Sequence, residues 1–159
     1  MRQSCLFILL PLMAACASAG GVPAGPVAWP PGAYYLEATV SYSDGSGTVR
    51  DLYSADLYIE PDQSMRLDSH VGVCRDSTPP ERRRDAERRI RTFPCGAVSY
   101  VLRPGSGTVT GDVVATVREG RRVEQCLRRG VNGTCLQSHM TVVTALVRKE
   151  ARLRVRERE

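Results

Sequence analysis

Residues 34–42 read YYLEATVSY, and the fold class is decided there. Tyr34, Leu36, Ala38, Val40 and Tyr42 fall on one side, with Glu37, Thr39 and Ser41 on the other. A period of two is the signature of a half-buried β-strand, because successive side chains point to opposite faces of a sheet. Ser43-Asp44-Gly45-Ser46-Gly47 then supplies turn chemistry. A second alternating run from Val49 to Ile59 places Val49, Tyr53, Ala55, Leu57 and Ile59 together. Pro61-Asp62 breaks it, and Met65, Leu67, Val71 and Val73 make a third run. These three runs predict an antiparallel meander.

The same period returns further along the chain. Val98, Tyr100 and Leu102 alternate, Pro104-Gly105-Ser106-Gly107 turns, and Val109, Val113, Ala115 and Val117 lead to an expected two-residue turn at Glu119-Gly120. Val123 to Leu127 then returns toward a loop at residues 128–133, where Asn132-Gly133 is a strong hairpin signal. The last run holds Met140, Val142 and Leu146, then Ala151, Leu153 and Val155, with Arg152, Arg154 and Arg156 opposite. It reads as one bent strand, or as two joined near Lys149-Glu150.

One insertion breaks the β pattern. Thr78-Pro79-Pro80-Glu81 matches a capping box with proline at the first helical position. A short helix is expected from about Pro79 to Arg91, with Ala86, Ile90 and Phe93 as a narrow apolar stripe and Pro94 ending it. Arg82, Arg83, Arg84, Arg88, Arg89 and Arg91 would face water. The expected fold is therefore all-β, an antiparallel sandwich or small barrel of about 7–8 strands with one short inserted Arg-rich helix. An immunoglobulin-type sandwich lacks support, since Trp29 precedes every candidate strand.

The chain has 159 residues, enough for one domain and too few for a multi-domain enzyme. Its N-terminus carries Arg2 before an apolar run from Cys5 to Met13, too short to span a bilayer as a helix. Residues 1–15 read as a signal peptide. Leu12-Met13-Ala14-Ala15-Cys16 resembles a bacterial lipobox in which the Cys16 thiol would take the lipid, while Ala17-Ser18-Ala19 offers ordinary signal-peptidase cleavage after residue 19. Lipidation is the preferred reading. Residues 16–32 are small and proline-rich, which suits a tether, and 33–159 form a single β domain. Lys149 is the only lysine and Asn132 the only asparagine, a codon bias pointing to a high-GC bacterium. The expected location is the periplasmic side of the outer membrane as a lipoprotein, or secreted or periplasmic if cleavage follows Ala19.

Of the six cysteines, Cys5 and Cys16 belong to the processing region. The remaining four, Cys74, Cys95, Cys126 and Cys135, read as two disulfides in an exported chain. Cys74–Cys95 and Cys126–Cys135 are the favoured pairs, because each brackets one insertion between strand-like runs. Closing such loops is worth about 2–3 kcal/mol each. No C-x-x-C exists and His70 and His139 lie apart from the cysteines, so no metal site and no cofactor is expected.

No catalytic set is expected either. Ser69-His70 and Ser138-His139 are strand neighbours that point to opposite faces. Glu37, Asp51, Asp56 and Asp68 are strand carboxylates of the kind glycoside cleavage uses in pairs, but any solvated sheet face carries such residues. Two basic segments stand out. Residues 81–91 hold six Arg against three acids, and 148–159 hold six basic residues against three acids, each net +3. They suit an anionic surface or an acidic protein, although interspersed acids also make a self-paired, solvated face. Nucleic acid is not expected, since no aromatic–basic interleaving is present. Trp29, between small residues and prolines, either closes one end of the domain or marks a partner contact. Tyr35 and Tyr58, on the polar phase, offer a weak aromatic platform.

These features lead to an expectation of a non-catalytic bacterial envelope domain that binds another envelope protein, as an accessory factor of secretion or pilus assembly or as an inhibitor. The alternatives are a small envelope hydrolase and a hollow-barrel ligand carrier. Replacing Cys16 with Ser is expected to move the protein from membrane to soluble fractions on fractionation of the expressing cells. Retention in the membrane pellet would rule out the lipid anchor.

Overall fold

The computed structural model describes residues 29–78 and 90–159. Its strands in chain order are β1 (Gly32–Ser43), β2 (Thr48–Ile59), β3 (Met65–Ser69), β4 (Gly72–Val73), β5 (Arg91–Cys95), β6 (Val98–Pro104), β7 (Val109–Arg129), β8 (Cys135–Arg152) and β9 (Arg154–Glu157). They make two antiparallel sheets, ordered β4-β3-β2-β1-β9 and β5-β6-β7-β8. Every described strand neighbour is antiparallel, so the domain is an all-β sandwich.

The alternation in YYLEATVSY does what its period requires. Tyr34, Leu36, Ala38 and Val40 are buried, and across the register so are Ala55, Leu57 and Ile59. From the other sheet, Phe93, Tyr100, Leu102, Val113 and Ala115 join them in one cluster. Tyr100 is fully buried, which raises its pKa, and its hydroxyl donates to the Ser54 carbonyl at 3.1 Å. That bond ties the sheets across the core while satisfying a polar group that burial would otherwise penalise.

Both open sides of the sandwich are closed. On one side Leu153 turns the corner between β8 and β9: its side chain is buried and its amide donates to the Gly111 carbonyl at 2.9 Å. β9 then pairs with β1, Val155 standing opposite Leu36. Gly111 is required there, since a Cβ would sit 2.5 Å from the Val101 carbonyl oxygen. On the other side the Cys74–Cys95 disulfide links the segment after β4 to β5. The Ser77 amide and hydroxyl both donate to the Thr92 carbonyl, at 2.9 and 3.0 Å.

Several expectations change. The third run does not continue through Val71 to Val73: it breaks at His70-Val71, giving β3 and β4. The inserted helix falls on residues 79–89, outside the described residues, but its expected end is overturned. Arg91, Phe93 and Cys95 are the inward residues of β5, paired with Leu102, Tyr100 and Val98. Pro94 is not a helix terminator. It lies in β5, the edge strand of its sheet, where a missing N–H is tolerated. Arg91 is correspondingly not exposed; it is 5% exposed and its Nη1 lies 2.6 Å from Asp76 Oδ2. The expected turn at Glu119-Gly120 is absent, because β7 runs through it, and the expected joint near Lys149-Glu150 lies at Leu153.

Trp29, assigned to the tether by sequence, is fully buried and forms part of the core. Gln63 holds it by a reciprocal pair: the Trp29 amide donates to Gln63 Oε1 and Gln63 Nε2 donates to the Trp29 carbonyl, both at 3.1 Å. Gln63 adopts a positive φ of 67° to reach it. Positive φ costs a non-glycine residue of order 1 kcal/mol, offset here by two hydrogen bonds.

Burial alone would raise the Asp76 carboxyl, but hydrogen bonds from Thr78 and Arg91 and the guanidinium charge outweigh it, holding the group below its ordinary value. A lowered folded pKa contributes stability above the unfolded value and loses it as pH falls through the folded one. Replacing Asp76 with Ala leaves a buried guanidinium without its carboxylate and is expected to cost about 3 kcal/mol in urea unfolding at neutral pH. The gap between wild type and variant should narrow as pH falls below the ordinary aspartate value of about 3.9 and through the lower folded one. A gap independent of pH would show that the pair is not the source.

Candidate functional site

β6 stops pairing with β7 at Ala115, whereas β8 follows β7 from Asp112↔Arg152 out to Arg129↔Cys135. The outer half of this hairpin is thus a two-stranded ribbon standing clear of the sandwich. At about 3.4 Å per residue, residues 123–129, beyond the contacts at the base, reach roughly 24 Å. An isolated two-stranded ribbon is marginal in water, and three features stiffen this one. The pairs from Asp112↔Arg152 to Cys126↔Ser138 keep a single register equidistant from Asn132. At the tip, Gly133 supplies a φ of 78°, the Gly130 amide donates to the Thr134 carbonyl at 2.8 Å, and the Thr134 hydroxyl donates to Asn132 Oδ1 at 2.6 Å. The Cys126–Cys135 disulfide clips the two strands together just below the loop.

The ribbon exposes apolar side chains in two groups. Leu127, Val131 and Leu136 lie at the tip, and Met140, Val142, Val143 and Leu146 lie along the shaft on β8. Arg128 and Arg129 flank the tip group, so the end of the arm is both apolar and basic.

At its base the arm meets the turn between β1 and β2. Asp44 bridges to Gly120 on the edge of β7, and a Cβ at residue 120 would lie 2.6 Å from the Asp44 carbonyl oxygen, which is why glycine stands there. Arg122 Nε donates to the Gly45 carbonyl at 2.8 Å. Glu119 Oε1 accepts from Lys149 Nζ at 2.9 Å and from the Ser43 amide at 3.3 Å. Those hydrogen bonds, Lys149 first, lower the Glu119 pKa. Asp44 is likewise lowered by the hydroxyl and amide of Ser46 and the amide of Gly47. Between turn and arm lies an open groove of about 740 Å³, walled by Val143, Ala145 and Val147 on one side and by Gly45, Ser46 and Gly47 on the other. Glu119, Arg121 and Arg122 also line it. The arrangement suits an extended segment with apolar side chains.

The residues singled out from sequence are dispersed. Cys74, Cys95, Cys126 and Cys135 form the two expected disulfides. Arg82, Arg83, Arg84, Arg88 and Arg89 lie outside the described residues, and Arg91 is buried against Asp76. Trp29 is no surface contact point, being held in the core. Arg152, Arg154 and Arg156 are exposed along the corner and β9. Tyr35 and Tyr58 are not bare: Arg158 lies over the Tyr35 ring at 5.7 Å and Arg66 over Tyr58 at 4.5 Å. His70 sits in the exposed turn between β3 and β4, and His139 is exposed on β8 opposite Gln125. Asp56 and Asp68 stand directly across from each other, yet each is engaged by its own cation, Asp56 with Arg158 at 2.7 Å and Asp68 with Arg66 at 3.2 Å. Among the described residues no group of three His, Cys, Asp or Glu converges as a metal would require.

A scan of protein-family models and searches of curated proteins and of solved structures return no match for this chain.

The arm was missed from sequence because Glu119-Gly120 has turn composition. Its signal was nevertheless present: a hairpin at Asn132-Gly133 closed by Cys126–Cys135 projects back, residue for residue, onto Val117 opposite Val147. Replacing Cys126 and Cys135 together with Ser is expected to abolish amide-exchange protection over residues 121–143. The melting temperature of the sandwich should change little, since the clip closes a local loop. A collapse of protection across β1 and β2 as well would show that the arm is not an independent unit.

Proposed function

We propose that this is a non-catalytic domain of a bacterial cell envelope, exported and lipid-anchored through Cys16, that acts by binding another protein with the β7–β8 arm. Two jobs fit: accessory factor of a secretion or pilus assembly, and inhibitor of an envelope enzyme or toxin. The observation carrying the reading is the disulfide-clipped arm with its exposed tip, Leu127, Val131 and Leu136. Covering each such side chain is worth about 1–2 kcal/mol, so a stiff, apolar tip held away from the core favours a partner that covers it. Preorganisation by disulfide lowers the entropic cost of binding. The basic flank formed by Arg128 and Arg129 favours an acidic rim on that partner.

The rival readings draw less support. The middle of the sandwich is filled by Trp29, Phe93, Tyr100, Leu36 and Leu57, which leaves little for a hollow-barrel carrier to enclose. The facing carboxylates Asp56 and Asp68 are bound by arginines on an open sheet face, unlike the cleft a hydrolase uses.

The test is capture from envelope extract by the oxidised full-length protein, washed at low and high salt, beside a Leu127→Lys/Leu136→Lys variant. Both positions are exposed, so circular dichroism should be unchanged. A stoichiometric partner that survives high salt and is lost at least about tenfold by the variant is the expected result. Equal capture by the variant would move the contact off the tip. Recovery only at low salt would instead make the arginines a generic polyanion surface.

A further inference from the structure

The outer edge of β8 combines three properties that edge strands ordinarily avoid. It is long, running Cys135–Arg152, and among the described residues no strand pairs with it on the side away from β7. Residues 136–147, LQSHMTVVTALV, contain no Asp, Glu, Lys, Arg or Pro, in a chain of which 25% is charged. And Met140, Val142, Val143 and Leu146 are all exposed, Leu146 by 69%. Edges are normally blunted by charge, proline, brevity or bulges, because bare N–H and C=O groups template pairing with another chain. Along the ribbon β7 and β8 each have one open edge, and the charges fall on only one of the two strands. Residues 118–129 of β7 hold five Arg and two Glu. The β7 edge is thus protected while the β8 edge is left bare, which is the pattern of a strand meant to be paired.

The strand is complementary to itself. A two-fold axis perpendicular to the sheet makes two copies of β8 antiparallel and keeps each residue on its own face, so odd residues oppose odd and even oppose even. Centring the axis on Val143 sets Met140 opposite Leu146 of the second copy and Thr141 opposite Ala145. The charged end then meets neutral residues: Arg148 opposes Ser138, Lys149 opposes Gln137 and Glu150 opposes Leu136. No like charges face each other. The two β7 strands would be about 14 Å apart, three strand spacings, beyond the screening length of about 8 Å at physiological salt.

We propose that β8 pairs with β8 of a second copy about an axis at Val143, joining the two four-stranded sheets into one eight-stranded sheet. This stands apart from the partner reading, because it concerns the shaft rather than the tip and is tested on the purified protein alone. The odd face of the joined strands would bring the two grooves together at Val143, which lines each of them.

The test is sedimentation equilibrium of the oxidised protein at about 100 µM, together with oxidative cross-linking of Val143→Cys, Thr144→Cys and Val131→Cys variants. The expected result is twice the monomer mass, with efficient intermolecular disulfide formation at residue 143 alone. Residue 144 would face 142 of the other copy rather than itself, and residue 131 is at the far tip. Val143→Arg places like charges at the axis and should weaken the dimer by more than about tenfold without changing circular dichroism. A monomer under these conditions overturns the proposal. So does a dimer that cross-links through residue 131 or 144 as readily as through 143.

Discussion

The passage of the chain through Leu153, from one sheet into the other, is the constraint from which the rest follows. A sandwich of open sheets can slide or splay along both sides. Here the continuous chain from β8 to β9 joins one side covalently, and the buried Leu153 side chain and the Leu153 amide, donating to the Gly111 carbonyl, hold the bend. The Cys74–Cys95 disulfide and the Ser77 bonds to Thr92 fix the other. With both sides held, the inner faces stand in a defined relation, and Tyr100 can reach Ser54 across the core. The same corner explains the basic stripe. Arg152, Arg154 and Arg156 keep one phase of the alternation through the bend, so all three emerge on the surface while Leu153 turns inward.

The arm inherits its direction from that frame and its stiffness from its own chemistry. Its strands divide the labour unequally: β7 carries the charges that keep the ribbon soluble, and β8 carries an uncharged run. The turn between β1 and β2 braces the base, with Arg122 on Gly45 and Glu119 on Ser43 and Lys149. The ribbon therefore projects from a clamped root.

Much of this was legible in the chain because burial on one face imposes a period of two. Tyr34 to Val40 and Tyr53 to Ile59 were read on the correct faces for that reason. The cysteine pairs followed from an even count and from the insertions they bracket. Elsewhere local chemistry pointed away from the tertiary answer. Glu119-Gly120 has turn composition, but the glycine is there to admit the Asp44 carbonyl from a distant turn. Arg91 was read with the arginines expected to face water, and the proximity of Asp76 makes its burial tolerable. Trp29 sat in a proline-rich segment with no periodicity, and the residue that holds it, Gln63, lies 34 positions away with no local mark of its role. The unpaired edge of β8 is a property of topology and could be recognised only once the strand order was known.

The two disulfides have a consequence for how the protein matures. Each joins cysteines consecutive among the described four, with separations of 21 and 9 residues. Thiols oxidised in chain order, amino end first, are therefore matched correctly without reshuffling. The nearer pair lies within one hairpin, whose two ends meet early because short loops close fast. The first pair must wait for the next strand to arrive, so its bond records that the sheets have met. Each bond thus reports a different event, Cys126–Cys135 the closing of one hairpin and Cys74–Cys95 the meeting of two sheets.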